Sequence, residues 1–182
     1  MQHRESNADP AQRASLFEPP SVIYEEPGFL AATWRNVGIV VWGKQATPSL
    51  AKKLEQFSDD LLARNPNGIS AIHVITSTAA LPDSATRAEL DRLTNKYAKD
   101  LAVMGTVIEG TGFWASAMTS FITSLHWMSR KPFKVRTASD AADIANWAPP
   151  HHAAKTGVRF TPDELGRALG LSRERLSPNS PP

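Results

Sequence analysis

The spacing of hydrophobic and polar positions changes several times along the chain, and the changes divide it into strands and helices. Apolar residues within 21–26 and 29–35 predict two strands joined by Glu26-Pro27-Gly28, where proline fixes φ and glycine accepts a positive one. Residues 37–42 continue as a third strand. Beyond Pro48, Leu50, Leu54, Phe57 and Leu61 recur at helical spacing until Asn65-Pro66-Asn67-Gly68 ends the helix. Residues 69–76 are mostly apolar, as in a strand covered on both faces, and His73 within it reads as an interior histidine. A helix over 82–99 turns Leu90, Leu93 and Tyr97 inward and Arg87, Asp91, Arg92 and Lys96 to water. A strand follows over 101–108.

The run from Gly110 to Ser129 contains no formally charged residue. Trp114, Ala117, Met118, Phe121, Leu125 and Met128 fall at helical spacing and form an apolar stripe suited to the core. Ser116, Thr119, Ser120, Thr123 and Trp127 form a second stripe of mostly small hydroxyls. That second stripe is the candidate contact surface, and it suggests close packing against the same helix of a second copy. A short strand over 133–137 comes next, then a helix capped by Ser139 and stopped after Trp147 by Pro149-Pro150. Thr161-Pro162-Asp163-Glu164 is a capping box opening a last helix that ends near Gly170.

Strands come first, and then strand and helix alternate. That order predicts an α/β fold, an open mixed β-sheet with helices packed on it. The expected organisation is a polar, disordered tail over 1–20, a domain over 21–148, an extension with a short helix over 149–176 and a disordered end over 177–182. With 182 residues, 41% hydrophobic and 21% charged, the composition is that of one globular domain with tails.

A net charge of +2, with Lys and Arg scattered among the acids, provides no electrostatic footprint for nucleic acid. The absence of cysteine removes disulfides, thiolate metal sites and cysteine nucleophiles. No apolar signal-peptide core is present, and the uncharged helix carries too many hydroxyls, with His126, for a membrane span. A cytoplasmic protein is expected.

Candidate chemistry is sparse. Gly110-x-Gly112-x-x-Ala115 fits a short dinucleotide fingerprint and offers an alternative reading, a small-ligand or nucleotide site at the strand-to-helix junction. Glu109 would oppose a phosphate there, and no acid follows about twenty residues on, where the ribose is usually held. His151-His152 reads as a solvated pair, because adjacent residues point apart and no partner ligand stands at a suitable spacing; no metal and no cofactor are expected. No nucleophile elbow links a serine to a histidine and an acid, so catalysis is not expected. A second alternative is DNA binding: 163–176 resembles part of a helix-turn-helix with Gly170 at the turn.

The N-terminal hairpin, the strand-helix series, the Val107-to-Ala115 junction and the closing 133–147 segment together resemble the STAS superfamily, which includes sulfate-transporter domains and anti-sigma-factor antagonists. The resemblance implies a regulatory binding module without catalytic residues. It also implies a switch loop before a helix, where a partner kinase phosphorylates Ser or Thr in antagonist members. The matching stretch is 76–84, with hydroxyls at Ser77, Thr78 and Ser84; the Asp-Ser-Ser/Thr-Gly type of site is absent. Asp83 or Ser84 serves equally as a simple helix cap. The implied partner is a protein such as a kinase or regulator, and the hydroxyl stripe adds a second copy in a homodimer.

Overall fold

The computed structural model describes residues 17–127 and 132–176, with side chains at 125–127 excepted. Six strands lie side by side in chain order: β1 (Ser21–Glu26), β2 (Phe29–Trp34), β3 (Val37–Trp42), β4 (Ile69–Ile75), β5 (Leu101–Ile108) and β6 (Lys134–Ala138). The first two pairings are antiparallel and the remaining three are parallel. Among the described residues five helices cover the sheet: α1 (Pro48–Arg64), α2 (Ser84–Lys96), α3 (Gly112–Trp127), α4 (Ala141–Thr156) and α5 (Pro162–Arg175). This is the open, mixed α/β sheet that the element order predicts.

Every position of β3 and β5 is buried, because helices lie on both faces. One core holds Phe57, Leu61, Leu93, Met104 and Met118 under α1, α2 and α3. The other holds Ile39, Ile72, Val103, Ile144 and Leu165 under α4 and α5. In the second layer α4 lies tightly on β5: a Cβ added at Gly105 would come within 2.8 Å of the Ile144 side chain and 2.9 Å of Ile72. Only glycine permits that approach.

Several local expectations are overturned by this second layer. Asp140, not Ser139, caps α4, its carboxylate accepting from Ala142 N at 2.8 Å. The helix does not stop at Trp147 but continues through Pro149 and Pro150 to Thr156, so the expected domain boundary at 148 falls inside a helix. Two prolines remove two helical donors, yet burial of Ala148, Pro149, His152 and Thr156 against the sheet keeps the helix going. Likewise α5 runs unbroken past Gly170 to Arg175, because Leu165, Ala168, Leu169 and Ser172 form one buried face; the two-helix unit with a turn at Gly170 is not formed. Residues 149–176 therefore complete the layer that covers one side of the sheet. At the other end Phe17 packs on Trp34 with ring centroids 6.1 Å apart, and Trp34 Nε1 donates to Glu18 O at 3.0 Å, so the expected tail is held at these positions. Residues 1–16 and 177–182, the rest of the expected tails, lie outside the described residues.

His152 is the largest departure from expectation. Instead of being solvated it is fully buried, while its neighbour His151 lies against Trp147 with ring centroids 5.3 Å apart. Asn36 Nδ2 donates to Gly68 O at 3.1 Å, which leaves its Oδ1 to accept from His152 Nε2 at 2.8 Å. Nδ1 of the same ring then accepts from the Ser70 hydroxyl at 2.6 Å. Burial lowers the imidazole pKa from 6.5 to about 4.

This predicts a pH dependence of stability. Between about 6.5 and 4 the unfolded chain takes a proton that the folded chain refuses, so stability is complete above that window and falls as pH drops through it, by on the order of 3 kcal/mol. Denaturant melts at a series of pH values should show this slope in the natural chain and a smaller one in His152→Gln, which stays neutral throughout.

Candidate functional site

The parallel strands β3 to β6 all end on one edge, so the loops after them and the starts of α1, α2 and α3 gather there. In open α/β sheets this carboxyl edge is where ligands and partners usually meet the fold. Thr47 caps α1 and Asp83 caps α2, the Asp83 carboxylate accepting from Thr86 N at 2.7 Å. The hydrogen bond from the Thr86 backbone N–H lowers the Asp83 pKa. Ser84 is therefore not the cap; it sits exposed at the first position of α2.

Ser77 and Thr78 are exposed in the loop between β4 and α2. Thr78 is tied down: its hydroxyl donates to Gly43 O at 2.9 Å and accepts from Thr76 Oγ1 at 2.8 Å. Ser77 lies beside the β5–α3 junction, where a Cβ added at Gly110 would come within 3.2 Å of the Ser77 Cβ and 3.1 Å of the Trp114 ring. Trp114 Nε1 donates to Ala79 O at 2.8 Å and fastens the two loops together. The structure thus brings Ser77, Thr78 and the Gly110–Ala115 junction to one place. At Gly110 the junction is filled by the Trp114 ring, and Glu109 is held by Arg173 at 2.8 Å from the end of α5. The glycine pattern here accommodates backbone conformation and packing, with φ of 128° at Gly110 and 73° at Gly112.

Met118 and Ile122 of α3 enter the core, with Trp114, Ala115 and Phe121 packed partly against it. Ser116, Thr119, Ser120 and Thr123 are exposed on the opposite side. Their helix satisfies some of their polarity internally, since Ser116 donates to Gly112 O at 3.2 Å and Thr119 to Ala115 O at 2.8 Å. Trp127, the last residue expected on this face, has its side chain outside the described residues, as do Leu125 and Met128 from the apolar stripe. The pattern of the sequence did not single out Phe113. Its side chain is 91% exposed at the first turn of α3, and Leu81, in the neighbouring loop, is 41% exposed. The only signal was the aromatic next to a glycine pattern, which reads as well as a core residue.

Behind this edge, between the sheet and α1–α3, lies a cavity of about 140 Å³. Its floor is set by two rows of residues in register across the strands: Gly38, Ala71 and Met104 in one, and Val40, His73 and Thr106 in the next. Ala71 and His73 lie on an interior strand, yet both are only half-buried, because the cavity reaches them. Trp42 Nε1 donates to His73 Nδ1 at 3.1 Å, and the rings are nearly parallel at 16°. The roof helices are braced to each other by ion pairs at their rims: Glu55 with Arg92 at 2.6 Å and with Lys96 at 2.8 Å. These bonds, Arg92 foremost, lower the Glu55 pKa to about 2. Tyr97 adds a hydrogen bond to Asp59 at 2.7 Å.

Fold and edge define an open α/β protein with loop and helix surfaces gathered at the strand carboxyl ends. Among known protein families and curated proteins the chain has no match. Among the described residues no helix is long and apolar enough to cross a membrane, and no group of three His, Asp or Glu side chains converges as metal ligands would.

The two junction glycines should respond differently to substitution. At Gly110, φ of 128° and contacts of 3.1–3.2 Å make alanine strained as well as crowded. Gly110→Ala should cost about 2 kcal/mol or more. Gly112→Ala meets nothing within 4 Å and adopts an ordinary left-handed conformation, for a cost of about 1 kcal/mol. Thermal melts should order the two variants in that way, with roughly 2–4 °C per kcal/mol for a chain of this size.

Proposed function

We propose that this chain is a non-enzymatic, STAS-like interaction and regulatory module of the cytoplasm, self-associating through the exposed face of α3 and presenting the loop over 76–84 to a protein partner. The observation that supports this most is Phe113, a large aromatic 91% exposed at the start of an uncharged helix face. Exposed aromatics of this kind supply the anchors of protein interfaces, where they fill a pocket on the partner and lose water entirely. The hydroxyls beyond it, Ser116, Thr119, Ser120 and Thr123, are small enough for a second helix to come close, and the helix itself carries no charge there. A two-fold axis through this face would pair it with itself.

Ser77, Thr78 and Ser84 give the module its proposed switch. All three are exposed beside the start of α2, where added phosphate would meet the positive end of the helix and change the local charge by about −1.5 to −2. A kinase or other regulator acting there would alter the surface next to Phe113 without disturbing either core.

The test is the oligomeric state. Light scattering at micromolar concentration should report a dimer for the natural chain and a monomer for Phe113→Ser and for Thr119→Glu, with melting temperatures within about 2 °C of one another, since exposed substitutions usually stay within about ±0.5 kcal/mol. A monomer for the unmodified chain ends the self-association reading.

A further inference from the structure

We propose that the cavity between the sheet and α1–α3 is a binding site for a compact, mostly apolar molecule about the size of a single aromatic ring and carrying one hydroxyl. This goes beyond the interaction surface on the outside of α3 and is independent of it.

Size sets the class of ligand. At about 140 Å³ the space matches the apolar core cavities of roughly 150 Å³ that stay dry and take up benzene. It is well below the roughly 300–1,000 Å³ of pockets that hold drug-sized molecules and cofactors. The inner space therefore takes in one ring or a compact branched chain rather than a whole nucleotide.

The walls set the chemistry. Leu54, Phe57, Leu93, Met104, Met118 and Ile122 give an apolar lining from all three helices and the sheet. Among the described residues Lys44 is the one lining side chain with a full charge, and it is paired with Glu26 at 3.1 Å. An ionic ligand would leave its own charge uncompensated. On the floor His73 and Thr106 stand opposite each other on adjacent strands, and Ser58, Thr94 and Tyr97 add polar groups from the α1 and α2 side. His73 Nδ1 accepts from Trp42, which holds the neutral ring in the tautomer protonated at Nε2. Among the described residues the Thr106 hydroxyl, on a residue only 2% exposed, has no hydrogen-bond partner. A ligand hydroxyl placed over Thr106 would supply one, with the ring against the apolar roof.

Access is provided at the carboxyl edge. The loop after β4 lines the cavity with Ala79, Ala80 and Pro82; Ala79 is buried, Ala80 exposed and Pro82 half-buried, so the wall passes from interior to surface within four residues. The hydrogen bonds from Gln45 Nε2 to Leu81 O at 2.8 Å and from Trp114 Nε1 to Ala79 O at 2.8 Å hold this loop in place.

Phenol and toluene, of nearly equal shape and differing by the hydroxyl, are the probes, titrated calorimetrically into the 182-residue chain. Both should bind saturably, phenol tighter by about two- to tenfold, the share of one net hydrogen bond. Thr106→Val should abolish that preference and leave toluene affinity unchanged. Ala71→Leu fills the floor and should weaken both probes by about tenfold or more while the melting temperature holds or rises, as expected for filling a void. If that variant does not fold, Ala71→Val carries the same arm with a smaller loss. No saturable binding of either probe overturns the proposal, as does binding that survives the cavity-filling variants. Equal affinities for the two probes, or a phenol preference that persists in Thr106→Val, overturns it too, because the polar floor would then play no part.

Discussion

A neutral imidazole buried between three distant stretches of chain holds this structure together. His152 of α4 reaches Ser70 at the start of β4 and Asn36 in the turn between β2 and β3, and each ring nitrogen has its partner. A polar ring in an apolar interior is tolerated only under that condition. Once it is met, the ring fixes the position and rotation of α4 on the sheet. Ile144 then falls over Gly105, and α5 can lie beside α4 across β2 and β3. The far end of α5 in turn carries Arg173 to Glu109 at the edge where the candidate surfaces gather. The buried histidine thus acts on the outer surface through two layers of packing.

The two faces of the sheet are filled differently, and that difference creates the cavity. On the α4–α5 side, side chains approach until a single added Cβ would clash. On the other side Phe57 closes over Gly38 as tightly, 2.9 Å from where a Cβ would stand, but Ala71 lowers the floor beside it while α1 and α2 are braced to each other at their outer rims by Glu55, Asp59, Arg92, Lys96 and Tyr97. Helices supported from the side can stand over a space that packing from below would have closed. Exposed ion pairs contribute little each, but several sharing Glu55 form a network that keeps the two helices in register.

The carboxyl edge joins the inside of this layer to the outside. Trp114 belongs to the helix whose inner residues roof the cavity, and its indole fastens the loop that forms the cavity wall. The outer residues of the same helix, from Phe113 through Thr123, are exposed and uncharged.

Where an element depends mainly on its own periodicity, it could be read from the sequence. Leu50, Leu54, Phe57 and Leu61 define α1, and the capping box at Thr161 and Glu164 starts α5 where expected. The alternation of β4, β5 and the helices between them specified an open α/β sheet, since apolar spacing and turn residues act over a few positions. The exposed hydroxyls of α3, Ser116, Thr119, Ser120 and Thr123, could be read for the same reason. Tertiary structure decided what local signals oppose. Pro149, Pro150 and Gly170 are breakers by propensity, and burial against the sheet overrode all three. His152 looked solvated because its partners, Ser70 and Asn36, lie 82 and 116 residues away. The cavity could not be read from the sequence either, because a void has no residues of its own; it arises where Ala71 and the span of two braced helices meet, a matter of geometry in three dimensions.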